Sequence, residues 1–244
     1  MLGACSLPGE REALHYYVLH AAGEPVKASA TRSATLFVAS TTAAGFYDAQ
    51  PIAYSRNPGS RGYYQLNRWT ERPSRRIHAL LLERLRQSGA FEAVVGPAAG
   101  GLRGDLVLDT RLEALYHDAA SRPGTVHVTL SAALTDPAQR ELLAQRSFTR
   151  SAPAASYDAA GAVTGFNQAL GALLDDVLAV GASAAVEAGF ARVADAVAVQ
   201  IEEDRHAAEH RLAGQQAVGV RILELGTGEI GRASCRERVL GRGG

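Results

Sequence analysis

Few residues in this chain have the type and spacing to do chemistry. Glu203, His206 and His210 place two imidazoles at i, i+4 with a carboxylate one turn before, a spacing that could share a metal on a helix. A helical surface mixing Glu, His and Arg is more simply a solvated face, and no metal is expected. Asp105 and Asp109 are too far apart along a strand to work as a general acid and base. Asp175 and Asp176 read as the polar side of a helix, His127 as the wet face of a strand and His78 as a helix flank. There is no G-x-S-x-G elbow, no H-E-x-x-H and no paired-cysteine zinc pattern. No cofactor is called for, and the chain is not expected to be an enzyme.

Near the C-terminus an apolar run, Val220–Leu225, leads into Gly226-Thr227-Gly228-Glu229-Ile230-Gly231, the way nucleotide- and methyl-donor-binding domains begin. That motif needs a following helix, a second strand and an acidic residue about 20 positions on, and 13 residues remain after Gly231. A methyltransferase-like reading therefore has no support. The run Glu229–Val239 looks like a translated sequencing adapter, so 215–244 is expected to be a disordered, non-native tail. A gene sequence with no adapter match there would remove that expectation.

Covalent chemistry has one candidate. Leu2-Gly3-Ala4-Cys5-Ser6 is a lipobox: small residues ahead of a cysteine whose thiol is diacylated and whose freed amine is acylated. Several acyl chains anchor stably where one binds only marginally. Ser6 after the cysteine points to outer-membrane sorting, with the inner membrane as the other possibility. No charged and apolar leader precedes the lipobox, so a signal peptide is expected to be missing from this sequence. The other cysteine, Cys235, lies at the far end, and no Cys5–Cys235 disulfide is expected.

Recognition has a denser candidate. Between Gly45 and Phe91 stand the only Trp and four of the eight Tyr. Phe46, Tyr47, Tyr63, Tyr64, Arg68 and Trp69 are the types that dominate interface energetics, and they form the candidate partner-binding set. The competing reading puts Trp69 under the first helix as core.

The elements that must position these residues follow from periodicity. Leu14–His20 and Thr35–Ala39 read as strands; Ile52–Tyr54 and Tyr63–Leu66 read as two more, joined through the Asn57-Pro58-Gly59 turn. Pro73 opens a helix with Ile77, Leu81 and Leu85 on one stripe, and Gly89 ends it. Phe91–Val95 is a short strand. Leu106, Leu108, Leu112, Ala114 and Tyr116 alternate with polar residues, as do Val126, Val128, Leu130, Ala132 and Leu134, predicting antiparallel strands with one dry face. A third strand, Arg140–Thr149, completes a meander. Val163, Phe166, Leu170, Leu173 and Val177 give a helix to cover it. The fold class is α+β: a mixed α/β sandwich, an antiparallel meander plus covering helices, in a single domain with a C-terminal extension. The boundaries are 1–13 lipobox and tether, 14–181 domain, 182–214 an extra helix, and 215–244 the tail.

Composition narrows the partners. Lys and Arg total 25 against 25 Asp and Glu, so no basic field argues for nucleic acid. No apolar run reaches the roughly 18 to 20 residues of a membrane span.

Phe46, Tyr47, Asp48, Gln50, Ile52 and Arg56, followed by Arg68, Trp69, Glu71 and Pro73, carry a resemblance. The chain resembles the ABC-type transport auxiliary lipoproteins, the paraquat-inducible protein C group. Their patterns are close to P-x-Tyr-Leu-Asp-x-x-Gln-Ile-Val-x-Arg and Arg-Trp-Ala-Glu-Pro. Here Gly45 stands near the usual Pro, Pro51 is inserted before Ile52, and Thr70 replaces Ala. The resemblance runs from about Cys5 to about Val180. It implies a periplasmic accessory lipoprotein of an Mce-type ABC lipid transport system, an adaptor linking the conduit to the outer membrane. Its implied partners are an Mce-domain protein and the system's permease and ATPase; a homo-oligomer stays open. The chain has no Walker A motif, so energy would come from a partner. The alternative is a periplasmic protein that binds a lipid or small amphiphile in its own cavity.

Overall fold

The computed structural model describes residues 13–99, 101 and 103–183, all within Met1–Ala188, the first of two units into which the chain divides. The lipobox, nearly all of the predicted extra helix, Glu203, His206, His210 and the tail lie outside the described residues.

Nine strands share one mixed sheet: β1 His15–Tyr17, β2 Arg32–Val38, β3 Thr42–Ala43, β4 Pro51–Ser55, β5 Gly62–Trp69, β6 Phe91–Val95, β7 Leu106–Asp118, β8 Thr125–Asp136 and β9 Glu141–Pro153. A 3₁₀ turn spans Gly45–Asp48, helix α1 spans Pro73–Ser88, and helix α2 covers 159–183. The fold is the expected α+β sandwich with an antiparallel β7–β8–β9 meander. The long strand β7 is its spine. Along one side it pairs with β8; along the other it runs parallel to β2, then β3, then β4. From β4 the sheet continues through β5 to β1, and from β2 to β6, so β1 and β9 are opposite edges.

Both helices serve the same core. Ile77, Leu81 and Leu85 of α1 and Phe166, Leu170, Leu173 and Val177 of α2 are buried with the inward residues of β7 and β8. Gly89 closes α1 at φ +69°, a conformation that Gly adopts without a Cβ penalty. At its other end α1 has no side-chain cap of its own; Asp48, from the 3₁₀ turn, accepts the Ser74 N–H at 3.0 Å instead. That satisfies one of the donors every helix start leaves open.

Two sequence expectations are corrected here. Opposite Leu130 and Thr129 of β8 stand Leu112 and Ala114 of β7, so β7 carries one extra residue, Glu113. A bulge of one residue inverts the alternation beyond it. Ala114 and Tyr116 therefore turn away from the core, and Leu115 and His117 are buried in their place. The second correction concerns Asp175 and Asp176. Asp175 is no free polar flank: it takes two bonds, of 2.7 and 3.1 Å, from the guanidinium of buried Arg84. The same guanidinium reaches the carbonyls of Ala22, Gly23 and Glu24. One buried charge thus ties α1, α2 and the strap after β1 together. Asp176 pairs with Arg150 of β9.

That strap crosses α2 closely. The Ala22 N–H donates to the Asn167 carbonyl at 2.9 Å, and the His20 N–H to the Asn167 side chain at 3.0 Å. A Cβ on Gly171 would lie 2.0 Å from the Ala22 carbonyl oxygen, whereas one on Gly181, in the same helix, would meet nothing within 4 Å. Gly→Ala in a helix ordinarily gains up to about 1 kcal/mol, and overpacking costs about 1–3. Gly181→Ala is therefore expected to raise the urea midpoint and Gly171→Ala to lower it, by net about 1–2 kcal/mol. Equal effects at the two sites would show that the crossing is not tight.

Candidate protein-interaction surface

The helices pack against one side of the sheet, and among the described residues no helix covers the other. A strand sends successive side chains to opposite sides, which splits the predicted aromatic set. Tyr63 points to the uncovered side, Tyr64 to the core.

On the uncovered side the rings form a ladder. Phe46 stacks on Tyr63 at 4.4 Å between centroids, and the Tyr63 hydroxyl donates to the Phe46 carbonyl at 2.7 Å. Phe46 meets Tyr47 edge-on at 5.5 Å, Tyr47 stacks on Tyr116 at 6.3 Å, and Tyr116 on His127 at 5.1 Å. The Arg61 guanidinium lies 3.8 Å above the Tyr116 ring while its Nε donates to the Tyr47 hydroxyl at 3.1 Å. His127 Nδ1 bonds the Ser151 hydroxyl at 2.8 Å. Burial raises the Tyr63 hydroxyl pKa, with Tyr47 adding to it. Offset and edge contacts of this kind, with a cation over a π face, are each worth about 0.5–1.5 kcal/mol. The ladder holds its rings and its arginine in place before anything binds.

The core side holds the rest. Trp69 is 2% exposed and packs edge-on to Phe166 of α2 at 5.6 Å. Of its two readings the structure has the core one, so Trp69 cannot contribute to a docking face. The cause is a wide irregularity: Ala53 pairs with Tyr63 and Pro51 with Arg68, so five steps of β5 oppose two of β4. That odd excess turns both Tyr64 and Trp69 inward. Tyr64 contacts Tyr54, and its hydroxyl meets His117 Nδ1 at 2.8 Å. Arg68 points to the uncovered side, opposite Tyr16 of β1, apart from the ladder. Three ladder members, Arg61, Tyr116 and His127, were outside the sequence-predicted set. Tyr116 was hidden by the bulge, and Arg61 lies between the Asn57-Pro58-Gly59 turn and β5.

His117 is fully buried. Its Nε2 has only the Pro123 carbonyl, at 3.1 Å, as partner, so Nε2 carries the proton and Nδ1 accepts from Tyr64. Burial holds its pKa below the ordinary histidine value, the Pro123 bond partly offsetting this. Burial, with the Asp158 charge, pushes the Tyr64 hydroxyl up to about 12. The neutral pair is structural. Among the described residues no cluster of His, Cys, Asp and Glu could hold a metal, and no helix is long and apolar enough to cross a membrane.

The cavity lined by Leu108, Ala132, Leu134, Phe148 and Val177 holds about 10 Å³, room for one water at most. An open notch of about 500 Å³ borders Phe37, Arg103, Val107 and Pro137 at the surface.

Residues 17–178 match the family model of the ABC-type transport auxiliary lipoprotein component. The chain belongs to this family. The fold is similar to the crystal structure of protein XCC0632 from Xanthomonas campestris, with a TM-score of 0.63 at 20% identity, over 71% of this chain and 98% of that one. It is also similar to a crystal structure of an uncharacterized protein, with a TM-score of 0.54 at 15% identity, over 68% and 97% of the two chains. No curated protein matches.

The buried His117 gives the stability of the domain a pH dependence. The unfolded chain takes up a proton at His117 near pH 6.5 that the native state refuses. This contribution to stability is complete above that pH and is lost as pH falls below it. His78 is shifted the same way by its burial. The urea midpoint should fall between pH 7.5 and 5.5, and less steeply in His117→Gln, one proton being worth up to about 1.4 kcal/mol per pH unit. Identical slopes in the two proteins would place the titration elsewhere.

Proposed function

We propose that this auxiliary lipoprotein is a catalytically inert adaptor of an Mce-type ABC lipid transport system. Its acylated Cys5 holds it in the outer membrane from the periplasmic side, and the uncovered sheet face binds a protein of the same system. The observation that carries the reading is the Phe46–Tyr63–Tyr47–Tyr116–His127 ladder with Arg61 clamped into it. Tyr, Trp and Arg lead interface hot spots, and rings already held by one another lose little freedom on binding. The covered face offers no comparable role, since its aromatics are spent on the core. The lipid-binding alternative needs an enclosed, largely apolar pocket of about 300 Å³ or more; among the described residues the openings of that size are open surface notches, one beside Phe37 and one, mostly polar, between β9 and the end of α2.

The full-length protein, expressed behind a signal peptide, is extracted from membranes and tested for a co-purifying Mce-domain partner. Recovery from the wild type and loss by tenfold or so in a Phe46→Ser/Tyr116→Ser variant, about 1.4 kcal/mol or more, is expected, compared at a temperature where circular dichroism shows both proteins folded, since the variant also loses ring contacts worth about 0.5–1.5 kcal/mol each. Cys5→Ser should release the protein from the membrane fraction. A monomer carrying stoichiometric lipid, with no partner, would favour the binding-protein reading instead.

A further inference from the structure

Six large apolar side chains are exposed among the described residues, and three of them belong to one short edge. Leu14, Tyr16 and Val18 are 47%, 58% and 52% exposed and alternate along β1 and its flanks. Of the alternate positions, Tyr17 packs on the core and Leu19 is buried, while His15, nearer the start of the edge, is exposed. The stripe therefore lies on the uncovered side of the sheet. Arg68 stands opposite Tyr16 in the β1–β5 register, and among the described residues its guanidinium has no ion-pair or hydrogen-bond partner. At the end of the same edge the Thr70 N–H donates to the Tyr17 carbonyl, and Arg76 Nε to the Leu19 carbonyl. Apolar side chains, a tyrosine and an adjacent arginine are the chemistry that suits the boundary between acyl chains and phosphates.

What lies against this edge is limited by the tether. Nine peptide units separate Cys5 from Leu14, at most about 30 Å fully extended, while a domain of this size is roughly 40 Å across. Whatever the orientation, a bilayer holding Cys5 is never far from Leu14. We infer that the β1 edge rests on the phospholipid surface, with Leu14, Tyr16 and Val18 at the acyl boundary and Arg68 on a phosphate. The opposite edge, β9, then faces away from the membrane. The inference rests on the proposed anchoring at Cys5 and adds to it the side on which the domain lies.

The test does not depend on acylation in the cell. A Cys235→Ser chain is coupled through the Cys5 thiol to a maleimide lipid in vesicles of phosphatidylethanolamine and phosphatidylglycerol, with or without brominated acyl chains. Native Trp69, buried, supplies a constant background and reports the fold. Emission added by Tyr16→Trp should drop about twofold or more in brominated vesicles, as expected for a side chain at the acyl boundary. Emission added by Leu142→Trp, equally exposed on β9 at 53%, should not change. Equal quenching at the two positions, or none at position 16, overturns the inference. So does emission at position 16 that is already blue-shifted before any vesicle is added, which would mean that the chain itself or a second copy covers the stripe. Failure of cellular acylation would appear separately, as wild-type protein absent from the membrane fraction.

Discussion

β7 is paired on both sides for most of its length, so the direction of its side chains is imposed on every strand it touches. The extra residue at Glu113 changes that direction half-way along. Below it Leu106, Leu108 and Leu112 enter the core; above it Leu115 and His117 do. Tyr116 is turned outward onto Tyr47 and His127. Without the bulge a tyrosine would need burial in the place His117 occupies, and the ladder would lose its middle ring. Bulges of this kind re-aim side chains while the pairing on either side continues.

The two faces of the sheet are built for different ends. On the covered face apolar area does the stabilising, at about 25 cal/mol per Å², and the largest polar groups that enter are partnered, while His78 Nδ1 of α1 is buried without a hydrogen bond among the described residues. Arg84 is matched by Asp175 and three carbonyls, and His117 by Tyr64 and Pro123. An unpaired buried charge in either place would cost more than such a pair contributes. On the uncovered face the aromatic rings are packed against each other rather than beneath a helix. They stay rigid while keeping an edge, a hydroxyl or a guanidinium toward solvent, which is the combination a recognition surface needs.

Asp48 links the two faces. From the 3₁₀ turn that carries Phe46 and Tyr47 it caps α1 at Ser74 and lies near Arg72. The start of the helix and the start of the ladder are thus held by one carboxylate. In the proposed adaptor this coupling keeps the docking rings in a set position relative to the core, without any moving part.

Much of this was legible in the residues alone. The β8 alternation from Val126 to Leu134, the α1 stripe ended by Gly89, the Asn57-Pro58-Gly59 turn and the α2 stripe all stand as read, because each depends on local backbone geometry and a repeating apolar pattern. The family, too, is carried by short motifs such as Arg68-Trp69. What the chain could not reveal locally is parity after an irregularity. Tyr63 and Tyr64 are neighbours in sequence yet serve opposite faces, and Trp69 joins the core because β5 gains an odd number of residues against β4. Whether Asp175 meets water or a buried guanidinium depends on where α1 lies, not on its own neighbours. A pleat propagates direction along one strand, but only pairing between distant strands decides where that direction is reset, and so only the tertiary structure could assemble the ladder.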